Sequence, residues 1–313
     1  MKVLIVDTVD PILHTGLKEL GYEVMEDYQS PVDELKDQIP EFTGMIIRSR
    51  FPLNADFLKK AKTLRFIGRV GAGMENIDKA TAESMGIKLL NAPEGNRNAV
   101  AEHALGMLLM LLNNLRIADA EVRKGLWKRE ANRGYELDGK TIGIIGYGYM
   151  GSAFAAKLKG FDVRILAYDK YLHNFGDAEV EESSLERITA EADVISFHLP
   201  QNGETIGYLN DDFVDKLQKP VYIINTARGK IVHTSALIRG LQSGKIKGAC
   251  LDVLEYEKSS FENMFSGNIP EDFRYLLESD KVILSPHIAG WSYESNKKMA
   301  QTIVNKIAAL NLL

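Results

Sequence analysis

Few local patterns leave a chain as little choice of fold as the one between residues 141 and 169. The apolar run at 141–145 leads into Gly146-Tyr147-Gly148-Tyr149-Met150-Gly151, a G-x-G-x-x-G pattern, and then into a helical run at 150–159. A second apolar run, 163–168, ends on Asp169, 18 residues after Gly151. Strand, glycine-rich turn, helix and strand within about 30 residues make the βαβ unit of a dinucleotide site. Gly146 permits the tight turn, Gly148 lets backbone approach a pyrophosphate, and Gly151 lets the helix pack on the strand. The helix N-terminus offers free N–H groups and the positive end of its dipole to the phosphates. Asp169 is placed to accept hydrogen bonds from the adenosine ribose. Its charge would repel a 2′-phosphate, so NAD is expected over NADP.

The same alternation runs through the rest of the chain. Residues 3–6, 22–25, 45–47, 66–67 and 87–90 read as strands, with helical patterns between them at 55–61 and 78–85 and after Asp10-Pro11. Further strands are expected at 193–197, 221–225, 248–253 and 282–285, and a last helix at 292–313. Repeated strand–helix–strand units give parallel sheets. For 313 residues the expectation is two doubly wound α/β domains with a cleft between them. Residues 99–115 are apolar nearly all round, which predicts a buried helix, in the core or at a subunit interface. The next segment, 116–128, is more amphipathic.

Composition excludes several classes. Hydrophobic residues make up 45% and charged residues 26% of the chain, as in ordinary globular proteins. A net charge of −5 argues against nucleic-acid binding through a basic surface. No apolar run approaches the roughly 20 residues that cross a bilayer, and the N-terminus does not read as a signal peptide. A lone cysteine, Cys250, excludes an internal disulfide and a Cys-rich metal site. His14, His103, His173 and His233 lack metal-ligand spacing and are assigned no chemistry. A cytoplasmic protein with no metal, membrane or nucleic-acid partner is expected.

Three later segments place ionisable residues at the ends of expected strands: Asn225-Thr226-Ala227-Arg228-Gly229, the run from Leu251 to Glu257, and Ser285-Pro286-His287-Ile288-Ala289-Gly290. With the glycine pattern, the run from Arg69 to Asp78 and Val100-Ala101-Glu102-His103, they resemble the D-2-hydroxyacid dehydrogenase family over nearly the whole chain. The resemblance implies hydride transfer between nicotinamide and the C2 of a 2-oxo or 2-hydroxy acid. It implies Arg228 as the planar, permanently charged fork for the substrate carboxylate and carbonyl. It implies His287 as the acid/base, and Glu257 as the carboxylate that orients the imidazole and favours its protonated form. Arg228 and protonated His287 would together stabilise charge on the carbonyl oxygen. Cofactor contacts are implied at Ala72, Tyr149, Met150, Pro200, Thr205, Thr226, Ala227, Asp252 and Gly290, beside Gly146, Gly148, Gly151 and Asp169. His198 fits either a cofactor contact or packing. In the family, residues 1–92 plus 291–313 would form a flavodoxin-like substrate domain. Residues 93–290 would form an NAD-binding Rossmann domain inserted in it, with hinges near Ala92-Pro93 and Ala289-Gly290. A homodimer is implied through 99–115 and the Trp127 arm.

The substrate is expected to be a small anion. Arg48 and Arg50 end one strand of the substrate domain, and Arg69 ends the next, directly before Val70-Gly71-Ala72-Gly73. The backbone N–H groups there could hold a carboxylate. Arg48 and Arg69 resemble the 3-phosphoglycerate dehydrogenase branch, of serine biosynthesis, where extra cations meet the phosphate. Trp127-Lys128-Arg129 resembles that branch too, with Arg129 reaching a neighbouring subunit. Two features depart from it. The sequence stops at Leu313, so a short form without the serine-sensing C-terminal domain is expected. Thirty positions separate Glu257 from His287, with Lys258 in place of the usual Pro. The intervening Phe261, Met264, Phe265, Phe273 and Tyr275 would either wall the pocket or cover a sheet edge. The alternatives are a dehydrogenase for lactate, glycerate or glyoxylate, an NAD-sensing corepressor-like protein, or another dinucleotide enzyme such as a methyltransferase.

Overall fold

The computed structural model describes residues 1–257 and 269–312. The first array runs β1 (Lys2–Ile5), α1 (Pro11–Glu19), β2 (Glu23–Glu26), α2 (Val32–Gln38), β3 (Gly44–Ile47), α3 (Ala55–Lys60), β4 (Phe66–Arg69), α4 (Lys79–Ser84) and β5 (Lys88–Asn91). Then come α5 (Pro93–Leu112) and α6 (Leu115–Arg123). The second array is β6 (Thr141–Ile145), α7 (Tyr149–Leu158), β7 (Arg164–Tyr168), β8 (Val180–Glu182), α8 (Leu185–Glu191), β9 (Val194–Phe197), α9 (Asp211–Lys216), β10 (Val221–Asn225), α10 (Thr234–Ser243), β11 (Ile246–Leu251), α11 (Glu271–Glu278) and β12 (Val282–Leu284). The last helix is α12 (Tyr293–Ala308). Side-chain caps start several helices where the sequence supplies Asp, Asn or Ser: Asp10, Asn54, Asp78, Ser184, Asn210 and Ser292 each accept a backbone N–H of the first turn.

The chain divides into two compact units, Met1–Arg97 with Trp291–Leu313, and Asn98–Gly290. By this division the first boundary lies within α5, between Arg97 and Asn98, and the second between Gly290 and Trp291.

The first unit holds a five-stranded sheet in the order β2-β1-β3-β4-β5, all neighbours parallel. This is the flavodoxin-like order. Met299, Ala300, Ile303, Val304 and Ile307 of α12 are buried with Val3, Ile5 and Ile46. The returning helix thereby completes a face that residues before 98 leave uncovered. The second unit holds a seven-stranded sheet, β12-β11-β10-β9-β6-β7-β8, again all parallel. Counted from β6, the order is that of the Rossmann fold with one strand added. The edge strand β8 is not expected from the sequence because three residues, two of them Glu, carry too little apolar pattern.

The apolar helix expected in the core or at a subunit interface is covered on one side within the chain. In α5, Ala101, Ala104, Met107, Leu108, Leu111 and Leu112 are buried, while Gly106 and Met110 are exposed. A continuous apolar helix wall meets only one sheet, so its far side stays open within a single chain. α6 buries no residue at all, and Leu115 and Val122 on it are about half exposed. Of the aromatic-rich insert, Lys258, Phe261, Met264 and Phe265 lie outside the described residues. Phe273 and Leu276 of α11 are buried in the core shared with β11 and β12, and Phe273 packs on Tyr256 at 5.8 Å between ring centroids. The described part of the insert covers the sheet.

Candidate functional site

Register puts the chemistry in line. In the seven-stranded sheet Ile145 pairs with Phe197, Phe197 with Asn225, Asn225 with Leu251, and Leu251 with Leu284. The next residue of each strand, Gly146, His198, Thr226, Asp252 and Ser285, therefore stands along one carboxyl-end edge. Strand order reverses between β6 and β9, and ligands of open α/β sheets bind outside the carboxyl ends at such a point.

The glycine loop fits a dinucleotide. Gly146 has φ +93°, and a Cβ there would lie 2.5 Å from the His198 carbonyl oxygen. At Gly151 a Cβ would lie 2.0 Å from the Gly146 carbonyl oxygen. At Gly148 a Cβ would meet nothing within 4 Å. Two glycines are thus required by packing, and the third opens onto space where a phosphate can approach. Gly148 caps α7 without a side-chain hydrogen bond, and the N-terminus of this helix turns the positive end of its dipole toward an anion. Asp169 holds this loop: its carboxylate accepts from the backbone N–H of Tyr147 (2.8 Å), Tyr171 (2.9 Å) and Leu172 (3.0 Å). Thr226 places a buried hydroxyl, with no hydrogen-bond partner among the described residues, at the same edge. Ala227 beside it is buried. A buried orphan hydroxyl costs about 1–3 kcal/mol, which a bound cofactor would recover. These features match the NAD expected from the sequence.

His198 is used mainly in packing. Its ring lies 5.4 Å from that of Phe154, Nε2 is 2.8 Å from the Ser196 hydroxyl, and Nδ1 is buried without a partner among the described residues. Burial pulls its pKa down to about 3. The Thr205 hydroxyl donates to the Pro200 carbonyl at 2.5 Å and accepts from Asn202 N–H, so this pair shapes the turn after β9.

The three ionisable segments converge. His287 Nδ1 lies 2.8 Å from Glu257 Oε2, with both side chains largely shielded. Glu257 Oε1 accepts the Leu254 N–H at 2.6 Å, which ties the carboxylate to the loop after β11. Arg228 follows Ala227 in the loop after β10. Its Nη1 donates to the Ala227 carbonyl, and the Asn225 amide donates to the Arg228 carbonyl at 3.0 Å. His287 sits at φ +55°, a left-handed conformation that costs a non-glycine residue about 1–3 kcal/mol and persists only where surroundings impose it. Asp252 imposes it. The Asp252 carbonyl accepts the His287 N–H at 2.7 Å, and its carboxylate accepts from Ile288 N–H (2.9 Å), Ala289 N–H (2.8 Å) and the Ser285 hydroxyl (2.6 Å). Asp252, expected as a cofactor contact, is 1% exposed and holds the turn that carries His287 and Gly290. Asp252 and Ser285 are a part of the site that motif reading does not assign to positioning.

The first unit presents its own edge. Strand order reverses between β1 and β3, and Arg48 follows β3. Asp7, after β1, accepts the N–H groups of Arg48, Ser49 and Arg50 on one carboxylate oxygen; no motif in the sequence singles it out. Arg48 packs its guanidinium over the Trp291 ring at 4.6 Å. Burial lowers its pKa, and the Asp7 charge opposes that shift. Arg50 is structural: its guanidinium donates to the carbonyls of Val6, Asp27 and Ser30. A Cβ on Gly71 would lie 1.6 Å from Arg69 Nη1, so the Arg69 guanidinium lies over this glycine. The expected N–H nest is narrower than the sequence suggests. Val70 N–H donates to the Ile47 carbonyl and Gly71 N–H to that of Arg69, which leaves Ala72 and Gly73. Asn91 clamps the Ala72 carbonyl at 2.7 Å. Arg129 is exposed. Among the described residues no cluster of metal ligands occurs, and no helix is long and apolar enough to cross a membrane.

Known proteins are similar to this chain in sequence and fold. Residues 105–289 match the D-isomer specific 2-hydroxyacid dehydrogenase, NAD binding domain. The chain is 33% identical to a D-3-phosphoglycerate dehydrogenase of Archaeoglobus fulgidus over 98% of its own length and 56% of that protein. It is 35% identical to a hydroxypyruvate reductase of Thermotoga maritima over 88% of its length and 87% of the relative. The structure of D-lactate dehydrogenase from Aquifex aeolicus, complexed with NAD and lactic acid, superposes with a TM-score of 0.83 at 28% identity, covering 99% of this chain and 95% of that one. The chain spans about half the length of the phosphoglycerate dehydrogenases it matches. A Rossmann edge with a dinucleotide loop, an arginine and a Glu–His pair, matched in sequence across most of the chain, places this protein in the D-isomer specific 2-hydroxyacid dehydrogenase family.

Proposed function

We propose that the chain interconverts a 2-oxo acid and a D-2-hydroxy acid with NAD, and that the pair is 3-phosphohydroxypyruvate and 3-phosphoglycerate. The observation that carries the reaction class is the Glu257–His287 pair at 2.8 Å, on the sheet edge that also bears Arg228 and the glycine loop. When bound, NAD supplies or accepts the hydride at nicotinamide C4. Arg228 binds the substrate carboxylate and carbonyl as a planar fork. His287 delivers a proton to the carbonyl oxygen in reduction and removes it in oxidation, with Glu257 holding the ring and stabilising its charged form. Arg48 and Arg69, with Val70 and Gly71 shaping the loop, supply the further positive charge that a phosphate needs. Arg129 would act from a second copy.

A second reading has its own support. The chain is as similar to a hydroxypyruvate reductase, at 35% identity, as to the phosphoglycerate dehydrogenases, at 33–34%, which supports unphosphorylated hydroxypyruvate as the alternative substrate. NADH oxidation with 3-phosphohydroxypyruvate, hydroxypyruvate, glyoxylate and pyruvate separates the two. The first acid should give the highest kcat/KM. NADH binding without turnover of any of them would leave a sensing protein.

The open face of α5 and the unburied α6 support a homodimer, since amphipathic helices rarely stay uncovered. Light scattering at micromolar protein should return twice the 34.9 kDa chain mass. A monomer would remove the route for Arg129.

A further inference from the structure

His103 is the residue that the proposed chemistry leaves without a task. It lies on α5, in the same compact unit as Asp252 and His287. Its Nε2 is 2.9 Å from the Ser285 hydroxyl. That hydroxyl is 2.6 Å from Asp252 Oδ1. Asp252 in turn holds the His287 turn through its carbonyl and both carboxylate oxygens. A hydroxyl has one proton to donate. An acceptor-only carboxylate takes it, so the serine oxygen accepts from His103 Nε2–H. This sets the direction of the whole chain: His103 donates to Ser285, Ser285 donates to Asp252, and Asp252 accepts the amides that set His287 at its left-handed φ.

Asp252 is a carboxylate with 1% exposure. Burying such a charge is costly unless donors surround it. His103 Nε2 stands 3.6 Å from the same Oδ1, beyond hydrogen-bond reach, so the ring acts on the carboxylate through the Ser285 hydroxyl. Without His103, the Ser285 hydroxyl is free to rotate toward the Met107 sulfur, 3.6 Å away, and the carboxylate loses a donor. The turn at 285–289 is then held by fewer bonds, against its own conformational strain.

We propose that His103 is a positioning residue for His287, acting through Ser285 and Asp252. The inference rests on the reaction proposed above for its kinetic consequence, and on the geometry alone for its structural one. The test uses the full chain with His103→Leu, His103→Gln, Ser285→Ala and the double variant His103→Leu/Ser285→Ala. In the absence of cofactor, amide hydrogen exchange in the peptide spanning 286–290 should quicken in His103→Leu and in Ser285→Ala. It should return toward wild type in His103→Gln, whose side-chain amide can donate as Nε2 does. With a turned-over 2-oxo acid, kcat should fall about tenfold in His103→Leu and in Ser285→Ala, with KM little changed. The double variant should be no worse than either of these, because all three break one chain. Unchanged exchange in His103→Leu overturns the proposal whatever the kinetics. So do quickened exchange with wild-type kcat and additive losses in the double variant. A wild-type protein that turns over no 2-oxo acid counts against the proposed reaction, and the exchange result then decides on His103.

Discussion

On the seven-stranded sheet, carboxylates tie down the loops beyond the strand ends. Asp169 takes three loop amides after β7, Asp252 takes two amides and a hydroxyl beside β12, and Glu257 takes an amide and the His287 ring. On the five-stranded sheet, Asp7 does the same for the loop after β3, but the edge is dominated by arginines. Arg50 is consumed by carbonyls, Arg48 is stacked under an indole that is 69% exposed, and Arg69 folds over Gly71. Under the proposed reaction, one edge is a rigid frame for moving a proton and a hydride, and the other offers positive charge to an anion. The difference teaches how each edge is built: the seven-stranded unit fixes its loops with carboxylates that accept amides, and the five-stranded unit gathers guanidinium groups.

The sharpest break in that comparison is His287→Ala. Removing an acid/base group typically costs about 10²–10⁴-fold in kcat, and the loss should fall on all 2-oxo acids alike. In the wild type, reduction needs the ring protonated and should fail at high pH. Oxidation needs it neutral and should fail at low pH. Steady-state profiles that coincide in the two directions would take His287 out of the mechanism.

Arg69→Ala tests the other edge. A charge-assisted hydrogen bond is worth roughly 1.5–3 kcal/mol, or about ten- to over a hundredfold in affinity. KM for 3-phosphohydroxypyruvate should rise by that factor, and KM for hydroxypyruvate far less. Equal losses would make Arg69 a carboxylate or structural contact and blur the division between the two edges.

Asp169→Ala should narrow the preference for NAD over NADP by about tenfold. Because Asp169 also holds the glycine loop, affinity for both cofactors will drop. The ratio of their Kd values, by fluorescence titration, is the informative readout, and a wild-type preference for NADP would refute the role.

The smallest effect concerns stability. His198 is held neutral, with a pKa near 3, against about 6.5 in an unfolded chain. The unfolded state therefore binds the extra proton below about pH 6.5, and this group removes stability as pH falls from there toward 3. The slope is at most about 1.4 kcal/mol per pH unit. Urea midpoints measured at about pH 7 and pH 5 should differ less in His198→Gln than in wild type. Equal shifts would mean that the ring is protonated in the folded protein.

How much of this is legible in the residues differs element by element. Strands such as 141–145 and 221–225 are readable to the residue, because parallel strands buried on both faces need unbroken apolar runs. The glycine pattern, Arg228, Glu257 and His287 are readable because their chemistry restricts residue type and order. The fate of α5 is not, since an apolar helix looks the same whether a sheet covers all of it or one side. Arg50 and Arg48 sit two residues apart with the same charge. Only the positions of Val6, Asp27, Ser30 and Trp291, brought in from distant segments, make one a brace and leave the other stacked at an edge. His103 and Ser285 are 182 positions apart. Local sequence carries backbone conformation and burial, which depend on near neighbours. It does not carry the identity of a hydrogen-bond partner that the chain meets only once its sheets have formed. The βαβ frame is therefore written in the order of residues, while the chain from His103 to His287 comes into being with the packing of α5 against β11 and β12.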